Sequence, residues 1–173
     1  MSHRAPLIVI SGPESSGKTT LAGQLASLLG MPLVVEVARD MLEQLGGAYS
    51  EPDVYRMAIH QWRLQESIRQ TGGLALADTD LLTYRIWLEE RFGTCSPWIA
   101  ALHRRTLPVH YLLCVPDIDW EPDPLRENPH DRDLLLDRHR QILQAEGMSF
   151  DLISGQGDER LRQALGFLHH LGI

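Results

Sequence analysis

A chain of 173 residues, 43% apolar and 23% charged, has enough material for one domain with a full hydrophobic core. Its 23 acids outnumber 16 bases for a net charge of −7, and no basic stripe offsets them, so a nucleic-acid partner is not expected. No run approaches the ~20 apolar residues of a membrane helix, and the first residues show no cleavage pattern. Cys95 and Cys114 form neither a C-x-x-C pair nor a zinc spacing. Together these point to a cytoplasmic protein that is neither membrane-bound nor disulfide-built.

The first apolar run, Leu7–Ser11, predicts a strand, and Gly12-Pro13-Glu14-Ser15-Ser16-Gly17-Lys18-Thr19 follows it directly. This is the phosphate-binding string G-x-x-x-x-G-K-[ST] in its required context, after a strand and opening a helix. Small residues let the backbone wrap a phosphate with its N–H groups inward, and the helix adds its positive end. Lys18 supplies charge to the β- and γ-phosphates, and the Thr19 hydroxyl suits one magnesium position. Leu21, Leu25, Leu28 and Leu29 predict one apolar face on that helix, which ends at Gly30-Met31-Pro32.

A second strand is expected over Leu33–Glu36. Glu36 and Arg39 lie one helical turn apart, as either a surface ion pair or a grip on a hydroxylated substrate beside the P-loop. A long helix runs from Pro52 to Gly72-Gly73 with Met57, Trp62 and Leu64. The strand Leu74–Asp78 then ends in Asp78-Thr79-Asp80, where open α/β sheets place ligands. Asp78 suits magnesium or the proton of an attacking hydroxyl. Asp80 suits the same rim, or an N-cap for the helix opening at Leu81.

Trp98, after Ser96-Pro97, and Trp120 are candidates for stacking on a base or for packing. Val109–Val115 predicts a strand in which Cys114 is a buried structural thiol. From Pro116 to Asp133 the chain holds four of its ten prolines and many acids. That composition cannot bury enough to pack, so it reads as a surface loop, of the kind that forms active-site lids, entering a helix over Asp131–Glu146. Arg126 and Arg132 are placed either to neutralise charge on a triphosphate, a role worth ~10³–10⁵ in rate, or to form salt bridges with the many neighbouring acids. A last strand, Ser149–Ile153, precedes a helix whose core stripe is Leu161, Leu165 and Leu168. His103, His169 and His170 read as solvated. Near-continuous apolar strands alternating with helices define an α/β fold: a P-loop NTPase with a five-stranded parallel sheet sandwiched by helices, a proline-rich lid and one domain over residues 1–173.

Gly12-x-Glu14-Ser15-Ser16-Gly17-Lys18-Thr19, Glu36-Val37-Ala38-Arg39, Asp78-Thr79-Asp80 and Trp120-Glu121-Pro122-Asp123-Pro124-Leu125-Arg126, in that order, resemble the ribosylnicotinamide kinase domain of NadR-type proteins, within the NadR-like AAA ATPase/kinase family. The resemblance runs from about Leu7 to the last helix. It implies an ATP- and Mg²⁺-dependent kinase acting on the 5′-hydroxyl of nicotinamide riboside or a related nucleoside, in NAD salvage. By position, Gly12, Pro13, Glu14, Ser15, Ser16, Gly17, Lys18, Thr19 and Thr20 would bind ATP. Asp78 would serve magnesium or the base role, Glu36, Arg39 and Asp80 would face the riboside, and Arg126 and Arg132 would be lid arginines. Two departures stand out. The adenylyltransferase motif of the bifunctional proteins is absent, and Val35 replaces the aromatic residue that precedes the glutamate. An aromatic there would suit stacking on a pyridinium ring, so Val35 leaves the acceptor's identity open while the kinase reading stands.

The alternative is a regulatory P-loop NTPase that signals through lid movement. A Ras-like GTPase is disfavoured because no N-K-x-D string occurs.

Overall fold

The computed structural model describes residues 5–106 and 110–173. In chain order its elements are β1 (Leu7–Ser11), α1 (Lys18–Leu29), β2 (Leu33–Val34), α2 (Ala38–Gln44), α3 (Glu51–Gln70), β3 (Ala75–Asp78), α4 (Leu81–Phe92), α5 (Pro97–Arg105), β4 (His110–Cys114), α6 (Arg132–Ala145), β5 (Phe150–Ile153) and α7 (Asp158–His170). The five strands pair in parallel in the order β2-β3-β1-β4-β5. Val109, expected to open the fourth strand, lies outside the described residues.

Strand alternation divides the core in two. Leu7, Val9, Ala75, Ala77, Tyr111 and Leu113 face α4 and α6 through Leu82, Ile86, Leu136, Ile142 and Leu143. Ile8, Ile10, Leu76, Leu112 and Cys114 face α1 and α7 through Leu21, Leu25, Ala164 and Leu168. Both faces are covered, which is why these strands read as unbroken apolar runs. A third cluster joins α2, α3, α4 and α5 around Leu42, Met57, Tyr84 and Ile99, beside the sheet.

Three expectations change in detail. The second strand stops at Val34, two residues early. Beyond it the buried Gln61 side chain supplies the hydrogen bonds that a neighbouring strand would supply: its Nε2 donates to the Val35 carbonyl at 3.2 Å and its Oε1 accepts from Val37 N at 3.0 Å. Glu36 therefore sits in a held loop. On α1 the buried stripe is Leu21, Ala22 and Leu25, with Leu29 packed alongside; Leu28 falls on the rim of that stripe and is 61% exposed. Two helices that the sequence reading did not set out, α2 and α5, pack onto the third cluster.

β1 lies between β3 and β4, so the chain leaves the sheet centre in two directions, and the carboxyl ends of β1, β2 and β3 open a crevice at that point.

Candidate active site

The loop after β1 is fixed by backbone dihedrals. Gly12 has φ 134°, and a Cβ there would lie 2.6 Å from the Cys114 carbonyl oxygen. Only glycine fits. Ser15, at φ 50°, holds a left-handed conformation that costs a non-glycine residue about 1 kcal/mol or more and concentrates at functional sites. The Pro13 carbonyl accepts from both Ser16 Oγ and Lys18 Nζ at 2.7 Å, which gathers the loop around the lysine.

Asp78 ends β3 beside this loop. Its side chain is 1% exposed, and neither carboxylate oxygen has a hydrogen-bond partner. Burial raises its pKa, while the Lys18 charge and the nearby Thr19 hydroxyl pull it down, the hydroxyl without meeting hydrogen-bond geometry in the structure. Two orphaned oxygens beside a threonine hydroxyl fit a cation that brings its own phosphate ligands. Among the described residues no cluster of three or more His, Cys, Asp or Glu forms a self-sufficient metal site. Glu36 is raised by burial and by Asp78 and Glu14, against the opposing charges of Lys18 and Arg39.

A cavity of about 1020 Å³ runs from Gly12–Thr20 to a bay lined by Glu36, Arg39, Thr83, Ile86, Trp87 and Glu90. The lid closes its roof. Glu14 accepts from two lid amides, Glu127 N and Asn128 N, at 3.0 Å each. Ser15 Oγ accepts from Glu121 N at 3.1 Å and from Arg126 Nη1 at 3.3 Å. Arg132 donates to the Ser15 and Ile118 carbonyls at 3.1 and 3.0 Å, and both lid arginines lie within 6 Å of the Trp120 ring, at 5.9 and 5.7 Å. Arg39 reaches up to Asp123 at 2.6 Å. Glu14 and Ser15 thus tie the lid to the P-loop as well as lining the cavity.

The structure brings Gly12–Thr20, Glu36, Arg39, Arg126 and the buried Asp78 together, with Arg132 hydrogen-bonded to the P-loop. It does not bring Asp80 or Trp98. Asp80 caps α4, its Oδ1 accepting from Leu82 N at 3.0 Å, and its Oδ2 accepts from Tyr111 Oη at 2.6 Å, with His103 behind. It is 3% exposed and faces the core, because capping and burial fix it there. Trp98 stands 51% exposed at the start of α5, outside the cavity. His103, read as solvated, is 1% exposed and bonded to Tyr111 Oη at 2.8 Å.

Several site residues escape the sequence reading. Thr83, Ile86, Trp87 and Glu90 line the bay from one face of α4; their three- and four-residue spacing after the Asp80 cap was a usable signal. Arg160 gave none. Buried in α7, it donates to the Ser16, Val115 and Gly155 carbonyls at 2.7, 2.7 and 2.6 Å and pairs with Asp117, so it pins the P-loop from below. Thr79 takes φ 66° between the two aspartates, with its carbonyl held by Gln65 at 2.8 Å, and this turn sends Asp78 and Asp80 to different environments.

A parallel sheet, a glycine-built phosphate loop and an arginine-bearing lid define a P-loop NTPase fold. A family model described as an AAA domain matches residues 7–160, and the chain belongs to that family. No protein of curated function matches the sequence. Among solved structures, NadR in complex with NAD and AMP-PNP superposes with a TM-score of 0.75 at 19% identity, covering 98% of this chain and 50% of that one. NadR in complex with NR gives the same score and identity, with 98% and 52% covered. The chain spans about half the length of both. Thymidylate kinase from Ehrlichia chaffeensis matches at TM-score 0.70 and 13% identity over 95% of this chain and 99% of that one. The Candida albicans thymidylate kinase has the same score and identity, over 98% and 93%. At these identities the likeness establishes a shared fold.

Proposed function

We propose that this protein is an ATP-dependent phosphotransferase that phosphorylates a hydroxyl of a small nucleoside, the 5′-hydroxyl of nicotinamide riboside or a close relative. The observation that carries this reading is the continuity of the cavity from the P-loop into a bay whose carboxylates, Glu36 and Glu90, have no hydrogen-bond or ion-pair partner among the described residues. Such groups suit a ligand that offers hydroxyl donors, and they oppose one that brings its own phosphate. The NadR structure with NR supports the nucleoside class by analogy of fold.

In this reading the P-loop amides and Lys18 hold the β- and γ-phosphates. Thr19 and Asp78 would hold magnesium, which would supply charge neutralisation to the phosphates. Glu36 accepts a hydrogen bond from the acceptor hydroxyl and orients it, its pKa raised chiefly by burial. Arg126 moves from Ser15 Oγ to the transferring group, and Arg132 keeps the lid seated. Arg39 is free to reach the acceptor when it leaves Asp123.

The test is incubation of purified protein with MgATP and a broad nucleoside panel including nicotinamide riboside, with products read by mass. Formation of a monophosphate is expected. Normal ATP binding with no nucleoside phosphorylated would sink the proposal, and a partner protein whose affinity differs between ATP and ADP states would then favour the regulatory NTPase.

A further inference from the structure

One polar side chain in the cavity wall is used neither by the fold nor by the phosphate cradle. His139, on α6, is 2% exposed and borders the cavity with Leu135, Ile86 and Thr83. Its Nδ1 lies 2.7 Å from the Leu135 carbonyl, one turn back in the same helix. A carbonyl only accepts, so Nδ1 carries the hydrogen and Nε2 of the neutral ring is a bare lone pair. Burial holds the imidazole down to about 4, with the Lys18 charge acting in the same direction, so the ring is neutral near pH 7. Nε2 has no hydrogen-bond partner. Leaving a buried acceptor unsatisfied costs about 1–3 kcal/mol, and the neighbouring positions Leu135, Leu136, Ile142 and Leu143 show that this helix face otherwise takes leucine and isoleucine.

We propose that His139 is a specificity-determining residue whose Nε2 accepts a hydrogen bond from a hydroxyl or amine of the acceptor molecule. This rests on the nucleoside kinase reading for the class of ligand. The same lone pair faces a phosphate oxygen unfavourably, since both are acceptors, so it selects the unphosphorylated acceptor over its monophosphate. Glu36 and Glu90, which line the same cavity, act in the same sense.

The experiment pairs kinetics with a direct probe of the nitrogen. His139→Leu is expected to raise the acceptor KM about 5- to 10-fold, with kcat and the ATP KM within about 2-fold, the range of one neutral hydrogen bond. His139→Gln, which carries an acceptor to the same place, is expected to recover most of the loss. In ¹⁵N-histidine-labelled wild type with Mg·AMP-PNP present, the Nε2 resonance should shift when a panel nucleoside is added. A wild type that turns over a nucleoside while His139→Leu keeps its acceptor KM overturns the assignment. So does an Nε2 signal unmoved by every nucleoside, whether or not turnover is seen, and this readout stands even if the leucine variant misfolds. A shifted Nε2 signal without turnover keeps His139 as a ligand contact and removes the kinase reading instead.

Discussion

The phosphate cradle and the acceptor bay share one cavity, yet they are built on opposite plans. The cradle is a run of consecutive residues whose shape is set by backbone: Gly12 has no room for a Cβ, and the Pro13 carbonyl gathers Ser16 and Lys18. Arg160 braces it through the Ser16 carbonyl, while the Val115 and Gly155 carbonyls and Asp117 hold the guanidinium in place. The bay is assembled by side chains from separate elements: Glu36 after β2, Arg39 on α2, Thr83, Trp87 and Glu90 on α4, and His139 on α6. A backbone-built site tolerates almost no change in its string. A site built from scattered side chains lets the acceptor vary while the phosphoryl chemistry stays fixed. Val35, immediately before Glu36, is 59% exposed and outside the cavity lining.

Substitutions can break or sharpen that contrast. The largest effect is expected in the cradle: Lys18→Ala should lower kcat by about 10³-fold or more while the melting temperature stays within a few degrees of wild type. Retained turnover would remove the P-loop as the seat of chemistry. Arg126→Ala, on the roof joining the two regions, should lower kcat by about 10²–10³-fold and spare ATP binding measured by calorimetry. An unchanged kcat would reduce Arg126 to a structural tie between Ser15 and the Glu121 carbonyl.

In the bay, Glu36→Gln should lower kcat/KM for the acceptor about 10-fold and leave the ATP KM unchanged. The wild-type kcat/KM should fall as pH drops through the raised pKa of Glu36, since only the carboxylate accepts, and this limb should vanish in the variant. The stability effect has the opposite sign. A carboxyl raised in the folded state binds protons there more tightly than in the unfolded chain, so its burden on stability is relieved as pH falls and is felt above the folded pKa. Glu36→Gln should therefore melt slightly higher than wild type at pH 7, and a lower melting point would contradict the direction of that shift. The smallest effect belongs to Trp98→Ala, which lies outside both regions and should leave kcat/KM within about 2-fold. A larger loss would show that α5 reaches the acceptor in the working enzyme.

Much of this was legible in the chain because it is local. The sheet could be read from five largely apolar runs, clearest in the central strands β1, β3 and β4, which are buried on both faces. The P-loop could be read because its geometry demands glycine at fixed spacing, and the lid because its prolines and acids cannot form a core. The bay resisted for a different reason. Asp78 and Asp80 are nearly identical as sequence, two aspartates at a strand end, and only the Thr79 turn and the Tyr111 hydroxyl separate the one beside Lys18 and Thr19 from the cap of α4. Likewise Trp87 and Trp98 are both tryptophans on short helices, and only packing puts one in the wall of the cavity and the other on the surface.

By itself, then, the sequence determined the phosphate-loop string at Gly12–Thr20, because a single contiguous segment carries the conformational requirement and the charge. Which further side chains join Glu36 and Arg39 in the bay was decided by tertiary structure. Together the bay's side chains come from α2, α4, α6 and the loop after β2, and their shared cavity arises from how these elements pack around β1 and β3, a relation that no local spacing encodes.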